Sequence, residues 1–183
     1  MGGSGEPVAG RIESNGVGAA WLDWGGTGDA LVLLHPNGFC AGVYDPLARR
    51  LATGYRVVGI DLRGHGDSDD VVDPMLLGND MMASDALAVL EHLGIDRFAV
   101  VGVSSGGAVG GEMAAVAPDR VTALVLCEAV AIDARVREDQ LFGFVDGPDG
   151  PVHPLAVGAR RRRDVWDDRD AVRASYGSRP PLD

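Results

Sequence analysis

Ser104 lies in Val101-Gly102-Val103-Ser104-Ser105-Gly106-Gly107, with a glycine two residues away on each side. This spacing suits a serine raised on a sharp strand-to-helix turn, where its hydroxyl can attack a carbonyl carbon. The bend presses its neighbours together, so positions 102 and 106 must lack side chains. The turn also opens a helix, whose first N–H groups have no intrahelical partner and point beside the hydroxyl. The N–H of Ser105 is thereby placed to hold a developing oxyanion. Glycine makes up 27 of the 183 residues, so the pattern alone arises readily by chance and its context must carry the reading. That context fits: the apolar run Phe98–Val103 precedes the turn and an Ala/Gly-rich helical stretch follows. A plain turn or a dinucleotide loop is the competing reading, and neither G-x-G-x-x-G nor G-x-x-x-x-G-K-[ST] is present.

Two more polar loops follow short apolar runs. Leu31–Leu34 leads into His35-Pro36-Asn37-Gly38-Phe39, and Val57–Ile60 leads into Asp61-Leu62-Arg63-Gly64-His65-Gly66-Asp67-Ser68. Continuous apolar runs of this length read as strands covered on both faces. Between them, Val43, Leu47 and Leu51 recur at helical spacing, and Pro46 places the helix start near Tyr44. Asn79 or Asp80 is positioned to cap a helix with Met82, Ala86, Val89, Leu90 and Leu93 on one face, stopped by Gly94. Upstream, Val8–Ser14, Asn15-Gly16 and Val17–Trp24 read as a hairpin whose second arm is a half-buried edge strand. Val121–Cys127 is one further apolar strand. The order predicts an α/β fold: a mostly parallel, doubly wound sheet with an N-terminal antiparallel hairpin. The three polar loops converge at the C-terminal strand ends, where such sheets bind ligands. After Glu128 the pattern weakens: Ala129–Glu138 reads as helical, Phe142–Pro154 as loop and Leu155–Tyr176 as a charged helix.

A formal net charge of −11 argues against nucleic acid and against anionic lipid as partners. The one basic run, Arg160–Arg163, is followed by Asp164, Asp167, Asp168 and Asp170 and reads as a solvated helix face. Cys40 and Cys127 are too few for a disulfide framework and show no metal-ligand spacing, which points to reduced thiols in a cytoplasmic setting. Met1–Pro7 has neither a basic flank nor an apolar core, so it does not read as a signal peptide, and no apolar run approaches a membrane span.

With these loops in place, the sequence resembles the α/β-hydrolase fold superfamily. Leu33–Phe39, Asp61–Ser68 and Val101–Gly107 match three of its signatures in order, and the likeness runs from about Ile12 to Val130. The resemblance implies a core domain over 1–130 and the start of a helical cap over 131–183. It implies Ser104 as catalytic nucleophile and the backbone N–H groups of Ser105 and Asn37 as the oxyanion hole. Many relatives have glycine where this chain has Pro36, and proline offers no N–H, so Asn37 must serve. His35, Arg63 and His65 match loop-organising positions. The implied activity is hydrolysis of ester-like or related acyl bonds in a small-molecule substrate, with no cofactor or metal. A serine at position 104 counts against the dehalogenases and epoxide hydrolases of the fold, which use aspartate there.

In this fold the nucleophile is followed along the chain by the acid and then the histidine. Only His153 follows Ser104, and Glu128, directly after a strand, is an internal candidate for the acid. His153 precedes any further strand, which makes the pair a weak one. The expectation is therefore a chain truncated before the last strands, with its acid and histidine beyond Asp183 and little or no turnover of its own. A non-catalytic small-molecule-binding module on the same fold is the alternative.

Overall fold

Among the described residues, six segments form one sheet: β1 Val8–Ser14, β2 Val17–Gly25, β3 Ala30–Leu34, β4 Arg56–Ile60, β5 Phe98–Val103 and β6 Val121–Cys127. The computed structural model describes residues 5–129, 145–147, 150–152, 154–163 and 165–178. Across the sheet the strands run β1-β2-β4-β3-β5-β6. β4, β3, β5 and β6 are mutually parallel, and the β1/β2 hairpin joins β4 antiparallel. Asn15 and Gly16 make the hairpin turn at φ 48° and 76°, the positive values that a tight two-residue turn requires.

The edge-strand expectation for 17–24 is corrected. β1 forms the edge, whereas β2 lies between β1 and β4 and is mostly buried. Trp21 and Trp24 belong to the cores on the two different faces. The alternation in β2 thus separates two covered faces rather than core from solvent.

Among the described residues, three helices cover the sheet: α1 Asp45–Leu51, α2 Asn79–His92 and α3 Ser105–Val116. Side-chain alternation along the parallel strands divides the core in two. Val32, Leu34, Val58, Ile60 and Val100 pack with Ala86, Val89 and Leu90 of α2 and Val109 and Met113 of α3. Leu31, Leu33 and Val57 pack with Trp24 and with Ala48 of α1 on the opposite face. This is the doubly wound arrangement. Pro46 falls in the first turn of α1, where its missing N–H costs nothing. The face expected for this helix is corrected: Val43 and Leu47 are 46% and 45% exposed. Val43 belongs to a preceding 3₁₀ turn, Ala41–Tyr44, so the spacing 43/47 does not follow one continuous helix. The start of α2 is also corrected, because Gly78 is the N-cap and Asn79 is already helical.

The chain divides into two compact units, Met1–Ala131 and Ile132–Asp183. In the second, β7 Val145–Gly147 and β8 Gly150–Val152 form an antiparallel hairpin where a loop was expected. A continuous helix over 155–176 is likewise corrected to two, α4 Pro154–Arg160 and α5 Arg169–Gly177. The Asp168 side chain accepts from the Ala171 N–H at 2.7 Å and so sets the start of α5. Only Arg160 of the arginine run is helical; Arg161–Arg163 lie in the following turn, with Arg163 stacked 4.7 Å over the Trp166 ring. The helix expected at 129–138 lies outside the described residues from position 130 onward.

Candidate active site

Parallel pairing brings four strand ends to one side of the sheet. Leu34 is in register with Ile60 and with Gly102, and Val103 with Cys127. His35, Asp61, Ser104 and Glu128 therefore all emerge from the same edge, the C-terminal one.

Ser104 joins β5 to α3 with φ 52° and ψ −117°, a strained conformation for a residue with a side chain. The glycines explain how it is held. A Cβ on Gly102 would stand 2.4 Å from the Gly106 carbonyl oxygen, and one on Gly106 would stand 2.3 Å from the Leu34 carbonyl oxygen. The absence of both lets α3 begin directly against the end of β3. The Ser104 N–H donates to the Cys127 carbonyl at 2.9 Å, and its own carbonyl accepts from Gly107 at 3.0 Å. These bonds fix the backbone on both sides, while the residue is only half-buried. Ser105 opens the twelve-residue α3, where the first N–H groups are free of intrahelical partners.

The loop after β3 turns back at Pro36–Phe39. The Phe39 N–H donates to the Pro36 carbonyl at 3.2 Å, and Gly38 takes φ 79°. Asn37 occupies the exposed corner of this turn. His35 is fully buried. Its Nε2 accepts the Leu62 N–H at 3.0 Å, and its Nδ1 donates to the Pro36 carbonyl at 2.9 Å. Burial pushes the His35 pKa below its ordinary 6.5, and the Pro36 carbonyl opposes that only in part. His35 is thus a neutral anchor committed at both nitrogens. His65 lies with Nε2 2.8 Å from Asn37 Oδ1 and Nδ1 3.1 Å from the Arg63 carbonyl. His92 is exposed in the last turn of α2, its ring 6.5 Å from Trp21.

The loop after β4 is organised by two buried carboxylates. Asp61 Oδ1 accepts the Ala41 N–H at 2.6 Å, and Oδ2 accepts the Asp67 N–H at 2.9 Å. Arg63 is buried against Asp85 of α2, with Nη2 and Oδ2 2.7 Å apart. The other oxygen of Asp85 accepts from Ser14 Oγ at 2.8 Å and Asn15 Nδ2 at 3.0 Å. Tyr44, which carried no sequence signal, donates its hydroxyl to the Leu34 carbonyl at 3.0 Å. Burial raises its pKa to about 12, with a smaller contribution from Cys127.

Among the described residues, no histidine is hydrogen-bonded to Ser104: His35, His65 and His92 are engaged elsewhere. His153 lies outside the described residues. Glu128 is described, exposed, and carries φ 49°. Of the three non-glycine residues with positive φ among those described, Asn15 is explained by its turn, and the other two, Ser104 and Glu128, directly follow adjacent strands. No group of three His, Cys, Asp or Glu among the described residues is placed to hold a metal ion.

The chain belongs to the alpha/beta hydrolase family, whose model matches residues 29–159. It is 34% identical over 142 residues to the dihydrolipoyllysine-residue acetyltransferase component of an acetoin cleaving system from Pseudomonas putida, covering 76% of this chain and 37% of that one. It is 34% identical to an esterase of Mycobacterium tuberculosis, covering 91% of this chain and 58% of that one. Among solved structures, an N-acyl homoserine lactone degrading enzyme, Est816, superposes with a TM-score of 0.61 at 30% identity, covering 66% of this chain and 45% of that one. The chain thus spans less than two thirds of the length of each of these relatives. No helix among the described residues is long and apolar enough to cross a membrane.

Proposed function

We propose that this chain carries the nucleophile and oxyanion hole of a serine hydrolase acting on esters, lactones or related acyl bonds of small molecules. The observation that carries the reading is the backbone of Ser104 at φ 52°, held by two glycines that tolerate no Cβ. Such strain persists only where the surroundings over-determine it, and it raises a side chain clear of the strand. In this reading Ser104 Oγ attacks the carbonyl carbon. The carbonyl oxygen becomes anionic and is met by the N–H groups of Ser105 and Asn37. Collapse of the tetrahedral adduct expels the alcohol, and water then releases the acyl group.

A serine hydroxyl needs a base, which in this reading is a histidine outside the described residues. Among the described residues, Glu128 is the candidate for the acid that orients it. It directly follows the strand next to that of Ser104, in a second strained conformation, whereas Asp61 is already committed to two backbone N–H groups. Residues 131–183 are read as the start of a helical cap region, and the protein as cytoplasmic, in keeping with its two free thiols. That no described histidine reaches Ser104 favours a second reading, a binding module without turnover.

Hydrolysis of p-nitrophenyl acetate separates the two. The chain is expected to turn over slowly at best, and whatever turnover it has should fall to background in Ser104→Ala. Turnover retained within twofold in that variant contradicts the serine mechanism.

A further inference from the structure

We infer that His65 is a positioning residue for the oxyanion loop and acts through the side chain of Asn37. The inference rests on the reading of the Asn37 N–H as an oxyanion donor. The turn at Pro36–Phe39 is secured on its inner side, where the Pro36 carbonyl accepts from both the Phe39 N–H and the buried ring of His35. Its outer corner, Asn37, is exposed. Because Pro36 has no N–H, Asn37 offers the first backbone N–H after His35. Among the described residues, the one side-chain hydrogen bond of Asn37 is that between Oδ1 and His65 Nε2, at 2.8 Å.

His65 is suited to hold that corner because its own backbone is fixed. Its N–H donates to the Leu62 carbonyl at 2.9 Å, and its carbonyl accepts from the Ser68 N–H at 3.1 Å. Gly64 and Gly66, at φ 76° and 58°, flank it. Two residues earlier in the same loop, the Arg63 guanidinium is locked to Asp85 of α2. The loop that carries His65 is therefore anchored to α2, and Nε2–H of His65 reaches from it to the Asn37 carboxamide oxygen. An oxyanion donor acts only where it is already aimed, so loosening the corner removes stabilisation from the transition state and leaves substrate binding intact.

The test is a double-mutant cycle on the rate at which a fluorophosphonate labels Ser104, using His65→Ala, Asn37→Ala and the double variant. One hydrogen bond of this kind corresponds to about a tenfold fall in the maximal labelling rate in His65→Ala. The half-saturating probe concentration is expected to stay within about twofold. The double variant should lose no more than the worse single one, and His65→Gln, which keeps a donor, should recover most of the rate. An unchanged maximal rate in His65→Ala, or losses that multiply in the double variant, overturns the inference. If the unaltered chain takes no label, the serine reading fails separately. The tether is then judged by the backbone order parameter of the Asn37 amide. A fall from about 0.85 to below about 0.7 in His65→Ala supports it, and an unchanged value overturns it.

Discussion

His35 and Asp85 are polar side chains that the core accepts only because each is fully committed. The pKa of His35 is lowered by burial, so the native state refuses a proton that the unfolded chain takes up near the ordinary value of 6.5. The sign follows from linkage. The stability that depends on neutral His35 is complete above the unfolded value and is lost as pH falls from there through the lowered folded value. Urea unfolding between pH 7 and pH 5 should show stability dropping by up to about 1.4 kcal/mol per pH unit from this group. In His35→Gln the profile over that window should be flatter, although the variant starts less stable. An equally steep profile contradicts the neutral-anchor role. Asp45 and Asp69, held low by Arg49 and Arg11 respectively, act only in the more acidic carboxylate range, so the two windows are separable. Removing Asp85 strands a buried guanidinium; Asp85→Ala should cost about 3–5 kcal/mol, read from the urea midpoint. A loss below about 1 kcal/mol would mean that water reaches Arg63.

At the scale of elements, the junction of β3, β5 and α3 makes the site. Gly106→Ala places a methyl group 2.3 Å from the Leu34 carbonyl, a backbone atom with nowhere to move. The variant should lose at least about 2 kcal/mol on chemical denaturation, together with Ser104 labelling; a neutral effect would mean that α3 does not start against β3. Much of this junction was legible in the sequence, because the glycine spacing about Ser104 and the apolar runs before each polar loop are dictated by the same close approach. The hairpin turn was legible for an equally local reason, the positive φ at Asn15-Gly16. What was not legible depends on neighbours distant in sequence. Strand β2 reads as half-buried until β4 is known to cover its other edge. Helix α1 turns Ala48 rather than Leu47 inward because a 3₁₀ turn resets the phase. The strain at Glu128 has no composition signal at all, and neither has the bond from His65 to Asn37, which joins two loops separated by a strand and a helix.

At the scale of the whole molecule, the last strand in sheet order is an open edge among the described residues. There β6 pairs with β5 alone, and Leu124, Val125 and Leu126 are 37%, 49% and 48% exposed. An apolar edge of this kind templates association. The 183-residue chain should therefore self-associate at micromolar concentration in sedimentation velocity, and Val125→Lys should weaken that association. A monomer at all concentrations would show that the edge is covered in solution. The same edge lies beside the site, since Cys127 hands over to Glu128 next to Ser104, so the openness of the sheet and the completeness of the chemistry are linked questions. The central claim concerns one atom, the Oγ of Ser104, and mass spectrometry after fluorophosphonate treatment addresses it directly. The account predicts a single phosphonyl group on the peptide containing Ser104 and none on Ser104→Ala; no adduct on Ser104, or equal labelling of the variant, contradicts it.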